Sequence, residues 1–214
     1  MIELYDRYSQ ESRDLHESLV ATGLSQLGVV IDADGFLPDG LVSPFTYYLG
    51  YEKGKPLYFN QVPVPAFWEI LGNNQSARIE DMTQERAVIH YADGMQARLV
   101  KQVDWKDLEG RVRQIDHYNR FGACFATTTH SADSEPIMTV YQDVNGQEVL
   151  LENHVTGDIL LTLPGQSIRY FANKVEFITF FLQDLEIDTT QLIFNTLATP
   201  FLVSFHHPDK SGSD

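Results

Sequence analysis

The chain has 214 residues, 43% of them hydrophobic, and is therefore long enough to bury a sizeable core in one large or two small domains. Its 30 acidic residues outnumber 15 basic ones, and the formal net charge of −15 argues against binding to nucleic acid or directly to anionic lipid. The single cysteine, Cys124, excludes an intramolecular disulfide. Residues 1–8 lack the pattern of a secretion signal, so the expected compartment is the cytoplasm.

The first 33 residues have the pattern of an α/β domain. Ser9 is a suitable N-cap for a helix that runs to Ala21, and Gly23 stands where a C-terminal cap belongs. The wholly apolar run 29–31 predicts a short buried strand after this helix.

The composition changes at Asp34 to a stretch rich in proline, glycine and aromatic residues. The segment EKGKP, residues 52–56, predicts a turn between two aromatic strands. Pro63 and Pro65 restrict their part of the chain to a sheet edge or a loop, because proline cannot donate a ladder hydrogen bond.

Three repeats of an aromatic residue followed by a turn glycine predict β-hairpins, at 105–110, 118–122 and 141–146. In each repeat an Asp or Asn can accept hydrogen bonds from its own turn, and the glycine tolerates positive φ. The spacing predicts an antiparallel meander. Its strands are expected at 87–91, 97–105, 111–118, 123–129, 137–142, 147–152, 158–163 and 166–170.

The α/β pattern returns at Ala172. Asn173 and Glu176 resemble a capping box before an apolar helical stripe, 192–194 is a short apolar run, and 198–207 could form a further helix. The fold class is therefore α+β. Residues 1–33 and 172–214 are predicted to form part of an α/β domain, and residues 34–171 an extended β-sheet domain inserted into it. About two α/β strands are too few for a doubly wound sheet, which predicts a fragment or dependence on a partner.

No catalytic, cofactor-binding or metal-binding residues are predicted. The histidines are scattered, apart from the adjacent pair 206–207, and no nucleophile elbow, P-loop or dinucleotide fingerprint occurs. Aromatic side chains near proline-rich edges are either core residues or contacts for a partner protein. The candidate partner-interface residues are Phe45, Tyr47, Tyr48, Tyr58, Phe59 and Trp68.

Several segments together resemble the N-terminal part of the GtfB family. They are ELYDRYSQESRDLHESLVATG, SPFTYYLG, PLYFNQVPVPAFWEI, YNRFG, ENHVTGDI and FNTLATPFLVSF, in this order. The resemblance extends over essentially the whole chain. It implies a GT-B type glycosyltransferase fold whose first Rossmann-like α/β half carries an inserted sheet domain.

The resemblance also implies a function without catalysis. Members of this family act with the accessory Sec system as stabilising, chaperone-like subunits. They pair with the catalytic subunit GtfA, in a complex expected to be 2:2, and help to hold the serine-rich repeat adhesin polypeptide. GtfA transfers N-acetylglucosamine to its Ser and Thr residues, so no catalytic residue or cofactor is carried over. Any association with the cytoplasmic face of the membrane is expected to come through partners.

Two other functions remain open from the residues alone. The sheet could be a glycan- or glycopeptide-reading module, because aromatic and polar loop residues stack on and hydrogen-bond to sugars. Alternatively, the chain could belong to a glycosyltransferase that is competent by itself, which the missing donor-binding motif opposes.

Overall fold

The computed structural model describes residues 2–25, 27–92, 97–186, 192–194 and 199. In chain order the elements are β1 (Ile2–Tyr5), α1 (Gln10–Ala21), β2 (Leu27–Val30), β3 (Leu41–Val42), α2 (Pro44–Tyr47), a 3-10 helix (Phe59–Gln61), β4 (Glu69–Gly72), β5 (Ser76–Asp81), β6 (Gln84–Tyr91), β7 (Val100–Lys106), β8 (Val112–Tyr118), β9 (Cys124–His130), β10 (Pro136–Gln142), β11 (Glu148–Asn153), β12 (Ile159–Leu161), β13 (Arg169–Phe171), α3 (Lys174–Asp184) and β14 (Leu192–Phe194).

The chain forms two compact units. The first consists of Met1–Tyr47 and Tyr170–Asp214, and the second of Tyr48–Arg169. The first boundary therefore follows Tyr47 and not residue 33, because residues 34–47 include β3, which pairs with β2 in the first unit. The second boundary precedes residue 170, close to the predicted position at 171–172.

The first unit contains a parallel sheet with the strand order β14-β1-β2-β3. Four strands are present among the described residues, against the two or so that the sequence suggested. The predicted helix after Ser9 is confirmed, since the Ser9 hydroxyl accepts a hydrogen bond from Ser12 N at 3.2 Å. Asn173 caps α3, with its Oδ1 accepting from Glu176 N at 3.0 Å. The predicted box is incomplete, because the Glu176 carboxylate accepts from Ala172 N at 2.9 Å and not from Asn173 N. The predicted helix at 198–207 lies almost wholly outside the described residues.

Strand β1 was missed because it carries a carboxylate. Glu3 is fully buried, and its Oε2 accepts hydrogen bonds from the Tyr5 hydroxyl at 2.8 Å and from His16 Nδ1 at 2.6 Å. Gly28 makes room on β2, because a Cβ atom there would overlap Leu41 and lie 3.4 Å from the same oxygen. Burial, followed by the hydrogen bond to Glu3, raises the pKa of Tyr5. These bonds offset part of the cost of burying the carboxylate.

The second unit is built on strands β4 to β12 of an extended sheet, whose strand order is β13-β12-β11-β10-β9-β8-β7-β6-β5-β4. From β4 to β12 each strand pairs antiparallel with the next strand in the chain, so the predicted meander is confirmed. The predicted strands between 87 and 170 are all present, with ends shifted by up to three residues.

The three predicted hairpin turns share one geometry. In the β7–β8 turn, Asp107 Oδ1 accepts hydrogen bonds from Glu109 N and Arg111 N, and Gly110 has φ +81°. Asn119 and Asp143 accept equivalent pairs of bonds in the β8–β9 and β10–β11 turns. The side chain and the glycine therefore have the roles that the sequence pattern predicted.

The predicted aromatic strands on either side of residues 52–56 are wrong. Residues 49–68, called the covering segment below, contain a 3-10 helix and a single antiparallel bridge between Tyr58 and Leu99, and are otherwise loop and turn. The segment passes so close to the β8–β9 turn that neither backbone has room for a side chain. A Cβ atom on Gly54 would overlap the Phe121 carbonyl, and one on Gly122 would overlap the Lys55 carbonyl.

The covering segment buries one face of the sheet. Its Tyr51 hydroxyl donates to the carbonyls of Gln142 and Asp143, at 3.1 and 2.9 Å, and fastens it to the β10–β11 turn. Its Val62 joins the core, with Leu57, Val64 and Trp68 packed against it. The sheet residues in this core, which define the covered face, include Ala77, Ile79, Ala87, Ile89 and Val103.

We predict that Gly122→Ala destabilises the fold more than Gly146→Ala. Both glycines have positive φ, +85° and +75°, but only Gly122 faces another backbone, whereas nothing lies within 4 Å of a Cβ at Gly146. Gly146→Ala should cost ~1 kcal/mol for the left-handed conformation. Gly122→Ala should cost ~3 kcal/mol or more, because the two backbones must also separate. Urea unfolding measures both, and equal losses would contradict the close approach.

Candidate interaction surface

The six candidate aromatic residues are divided between the two compact units. Phe45 and Tyr47 lie in the first unit, and Tyr48, Tyr58, Phe59 and Trp68 lie in the second.

Phe45 is a core residue of the first unit. Its side chain is 1% exposed, and its ring meets Phe177 edge-on at 5.1 Å between centroids. Burial takes Phe45 away from the surface where a partner could contact it. Tyr47 is 49% exposed and packs edge-on against Phe181 at 5.3 Å, so part of its ring remains accessible.

In the second unit, the candidate aromatics fasten the covering segment to the sheet. The Phe59 ring fills the space above Gly72 and lies 4.9 Å from the Tyr58 ring and 6.1 Å from the Tyr91 ring. Trp68 packs against the same core, and the Arg86 guanidinium lies 5.1 Å from its ring centroid. Tyr58 is 38% exposed, so it combines packing with an accessible edge.

Tyr48 is half-buried. Partner contact by any of these aromatics stays a prediction.

Large apolar side chains outside these six are more exposed than any of them. Met82 in the β5–β6 turn is 91% exposed, and Leu108 in the β7–β8 turn is 67% exposed. Phe67, an aromatic of the proline-rich stretch, is 98% exposed. A signal was available in the sequence, because hairpin turns normally carry glycine or polar residues at their tips.

Strand β4 is an edge of the sheet, since it pairs with β5 and ends the strand order. Glu69, Leu71 and Gly72 on this strand are exposed. An exposed edge offers backbone donors and acceptors to an incoming strand. The arrangement therefore suits the binding of a polypeptide or a partner sheet.

The face opposite the covered face carries a polar row on the central strands. Asp104 accepts hydrogen bonds from His90 Nε2 at 2.8 Å and from Gln102 Nε2 at 2.6 Å. The bond to Asp104 raises the pKa of His90. Burial by itself would raise the pKa of Asp104, but the bonds from His90 and Gln102 outweigh it and lower that pKa. The pair thus favours an imidazolium beside a carboxylate.

A chain of hydrogen bonds crosses this face farther along the sheet. It runs from His117 Nε2 to the Thr128 hydroxyl at 2.9 Å, to the Thr139 hydroxyl at 2.8 Å and to His154 Nε2 at 2.7 Å. The two hydroxyls supply only two protons for three bonds, so at least one histidine must donate through Nε2. Burial lowers the pKa of His117 and favours its neutral form.

Cys124 is poorly suited to act as a nucleophile. Burial raises the pKa of Cys124 to about 11, so its thiol stays protonated and is a poor nucleophile. Within the described ranges, no three His, Cys, Asp or Glu side chains are grouped so that they could hold a metal ion. None of the helices described has the length and apolar character needed to span a membrane.

Three family models match successive parts of the chain. The GtfB N-terminal domain matches residues 2–48, the GtfB middle domain residues 68–172, and the GtfB third domain residues 174–214. The chain belongs to the GtfB family. The resemblance noted in the sequence is thereby confirmed.

Curated relatives carry the same family name. The UDP-N-acetylglucosamine–peptide N-acetylglucosaminyltransferase stabilizing protein GtfB of Streptococcus pneumoniae serotype 4 is 94% identical over 214 residues, covering 100% of this chain and 48% of that protein. The protein of that name from Streptococcus gordonii is 51% identical, covering 100% of this chain and 48% of its own length. The chain thus spans about half the length of these relatives.

Solved structures include a GtfB-like chain in a complex. A chain of a GtfA/B complex bound to UDP and GlcNAc has a TM-score of 0.92 and 53% identity, covering 96% of this chain and 46% of that chain. The pneumococcal O-GlcNAc transferase GtfA has a TM-score of 0.60 at 12% identity, over 90% of this chain and 43% of that chain. At that identity the second likeness concerns the fold alone.

The His90–Asp104 pair predicts a pH-dependent contribution to stability. Because the pKa of His90 is raised in the folded state, the pair stabilises the fold fully below the ordinary histidine pKa of about 6.5 and loses this effect as pH rises through the raised pKa. The lowered pKa of Asp104 preserves the pair into mild acid. His90→Gln should therefore reduce the unfolding free energy more at about pH 5.5 than at about pH 8.5.

His117 provides a control, because its contribution to stability has the opposite dependence on pH. Its pKa is lowered by burial, so its contribution to stability is lost as pH falls below about 6.5. His117→Gln should lessen the loss of stability on mild acidification, whereas His90→Gln should increase it. Urea unfolding at both pH values measures the difference, and a His90→Gln effect that does not vary with pH would show that the ion pair is not formed.

Proposed function

We propose that this chain is part of a non-catalytic subunit that stabilises and co-activates the O-linked N-acetylglucosaminyltransferase GtfA. The subunit binds GtfA, in a complex of two copies of each, and helps to hold the serine-rich repeat adhesin polypeptide. The observation that carries the proposal is the 53% identity and TM-score of 0.92 with a chain of a GtfA/B complex bound to UDP and GlcNAc. The names of the curated relatives as stabilizing proteins support it.

The parallel sheet of the first unit is, in this proposal, the beginning of a Rossmann-like half of a GT-B type fold. The order β14-β1-β2-β3 and the helix α1 between β1 and β2 suit such a half. The extended sheet is the inserted domain. The fold likeness to GtfA, with a TM-score of 0.60, supports a common architecture for the two subunits.

The proposed assembly uses the edge of the extended sheet. Main-chain pairing along β4 would give affinity without a particular side-chain motif, since each added residue satisfies exposed backbone groups. The net charge of −15 opposes direct docking on anionic lipid. We propose a cytoplasmic location, with any contact to the membrane face made through the partners of this protein.

Size-exclusion chromatography with light scattering tests the proposed pairing. The chain and purified GtfA should co-elute as one species whose mass exceeds that of either alone. Separate elution would contradict assembly through this part of the protein. Binding to glycosylated but not bare adhesin repeats would instead support a glycan-reading module, and hydrolysis of UDP-N-acetylglucosamine by the chain alone would support a competent transferase.

We predict that Leu71→Lys weakens co-elution with GtfA. Leu71 is 44% exposed on the edge strand β4, and a lysine at an edge opposes pairing with another strand. The matched control is Val144→Lys, which introduces the same charge at a 61% exposed position in the β10–β11 turn. The control should bind like the unsubstituted chain. Equal weakening by both variants would point to a general effect of charge and remove β4 as the contact.

A further inference from the structure

A turn before β4 places a large aromatic residue where the backbone favours glycine. The turn runs from Pro65 to Trp68 and is closed by a hydrogen bond from Trp68 N to the Pro65 carbonyl at 3.3 Å. Phe67, its third residue, has φ +72° and is 98% exposed. Positive φ at this turn position is normally met by glycine or asparagine, because a β-carbon is strained there.

The neighbouring hairpin makes the same unusual choice. The β5–β6 turn has only two residues between its strands, and Met82, the first of them, has φ +57° and is 91% exposed. Two-residue hairpin turns with positive φ at this position strongly favour glycine, asparagine or aspartate. Methionine at this position neither favours the positive φ nor buries its side chain.

These residues lie at the same end of the sheet, at its β4 side. Glu69 on β4 pairs with Glu80 on β5, and continuing that register brings Phe67 to the same end of the strands as Met82. Leu108 lies in the next turn at this end, and Gln84 Nε2 donates to its carbonyl at 2.7 Å. Phe67, Met82 and Leu108, called the apolar corner below, are 98%, 91% and 67% exposed.

Other turns of the same sheet show that the fold does not require this arrangement. Most of their positive-φ positions carry small residues, namely Gly110, Gly122, Gly146, Gly157 and Ser134. The exception is Arg98, whose guanidinium packs over the Phe59 ring and is therefore used within the fold. At Phe67 and Met82 the chain combines backbone strain with exposed apolar surface, and both are unfavourable for the isolated fold. Strain and apolar exposure at one place are typical of a surface that contacts a partner.

The charges around the apolar corner limit what that partner can be. Glu69 and Asp81 flank it and form no ion pair with any described residue, whereas Arg78, Lys106 and Arg111 are each paired with a carboxylate of this chain. One further cation, the Arg86 guanidinium, packs against the Trp68 ring, so the two unpaired carboxylates leave the charge of the corner negative on balance. This charge disfavours nucleic acid, an anionic membrane and the same corner of a second copy, and it fits an apolar protein surface with a basic rim.

We propose that the apolar corner is a docking anchor for the catalytic subunit, seated in an apolar pocket with a basic rim on GtfA. This inference rests on the proposed function, and it extends the β4 edge contact because Phe67 lies just before that strand. Backbone pairing along β4 enlarges the contact area. The inserted Phe67 and Met82 side chains fix how the two proteins are oriented and give most of the affinity.

The test separates binding from folding. Phe67→Gly combined with Met82→Gly should relieve the backbone strain, so the thermal unfolding midpoint of the full chain should hold or rise. The same double variant should bind purified GtfA about tenfold more weakly or worse in a titration. Ser134→Gly is the matched control, because it relieves positive φ at another turn without removing apolar surface. It should leave affinity unchanged.

Three outcomes decide between the two proposals. Weaker binding by the double variant alone, with its fold intact, supports the docking anchor. Binding of the double variant within about twofold of the unsubstituted chain overturns the anchor and leaves the proposed function standing. Failure of the unsubstituted chain to bind GtfA overturns both. If the glycine variant does not fold, Phe67→Asn with Met82→Asn removes the same side chains while tolerating positive φ, and the same affinities decide.

Discussion

The close approach of the covering segment to the β8–β9 turn is the constraint on which the second unit depends. A meander pairs its strands along one surface and cannot by itself exclude water from either face. The covering segment excludes water from one face. It can lie there only because Gly54 and Gly122 let two backbones pass where side chains would collide. The buried core, the position of Phe59 and the start of β4 all follow from that passage.

The features that could be predicted from the sequence are local ones. The turns after Trp105, Tyr118 and Tyr141 are specified within about five residues. In each turn one side chain accepts the backbone hydrogen bonds and one glycine adopts the positive φ. The capped helices were predictable for the same reason. The family could be recognised from segments spread over the chain, which carry information that no single turn or helix holds.

The features that were missed depend on distant parts of the chain. Strands β4 and β5 carry charges and lack clean alternation, and they are held by pairing with each other and with β6. Strand β1 contains Glu3, whose burial makes sense only beside His16 and the space above Gly28. Exposure was equally hard to predict, since Phe45 is buried whereas Phe67, from the same stretch, is almost wholly exposed.

The strands of the two sheets can pair at different stages of synthesis. In the extended sheet every strand from β5 to β12 pairs with the strand made just before it, so pairing can advance as the chain leaves the ribosome. In the parallel sheet, Ile2 pairs with Leu192, and β1 must wait until the whole meander has been synthesised. One side of β1 therefore stays unpaired throughout that interval. A nascent chain with such an open strand is a natural client for chaperones.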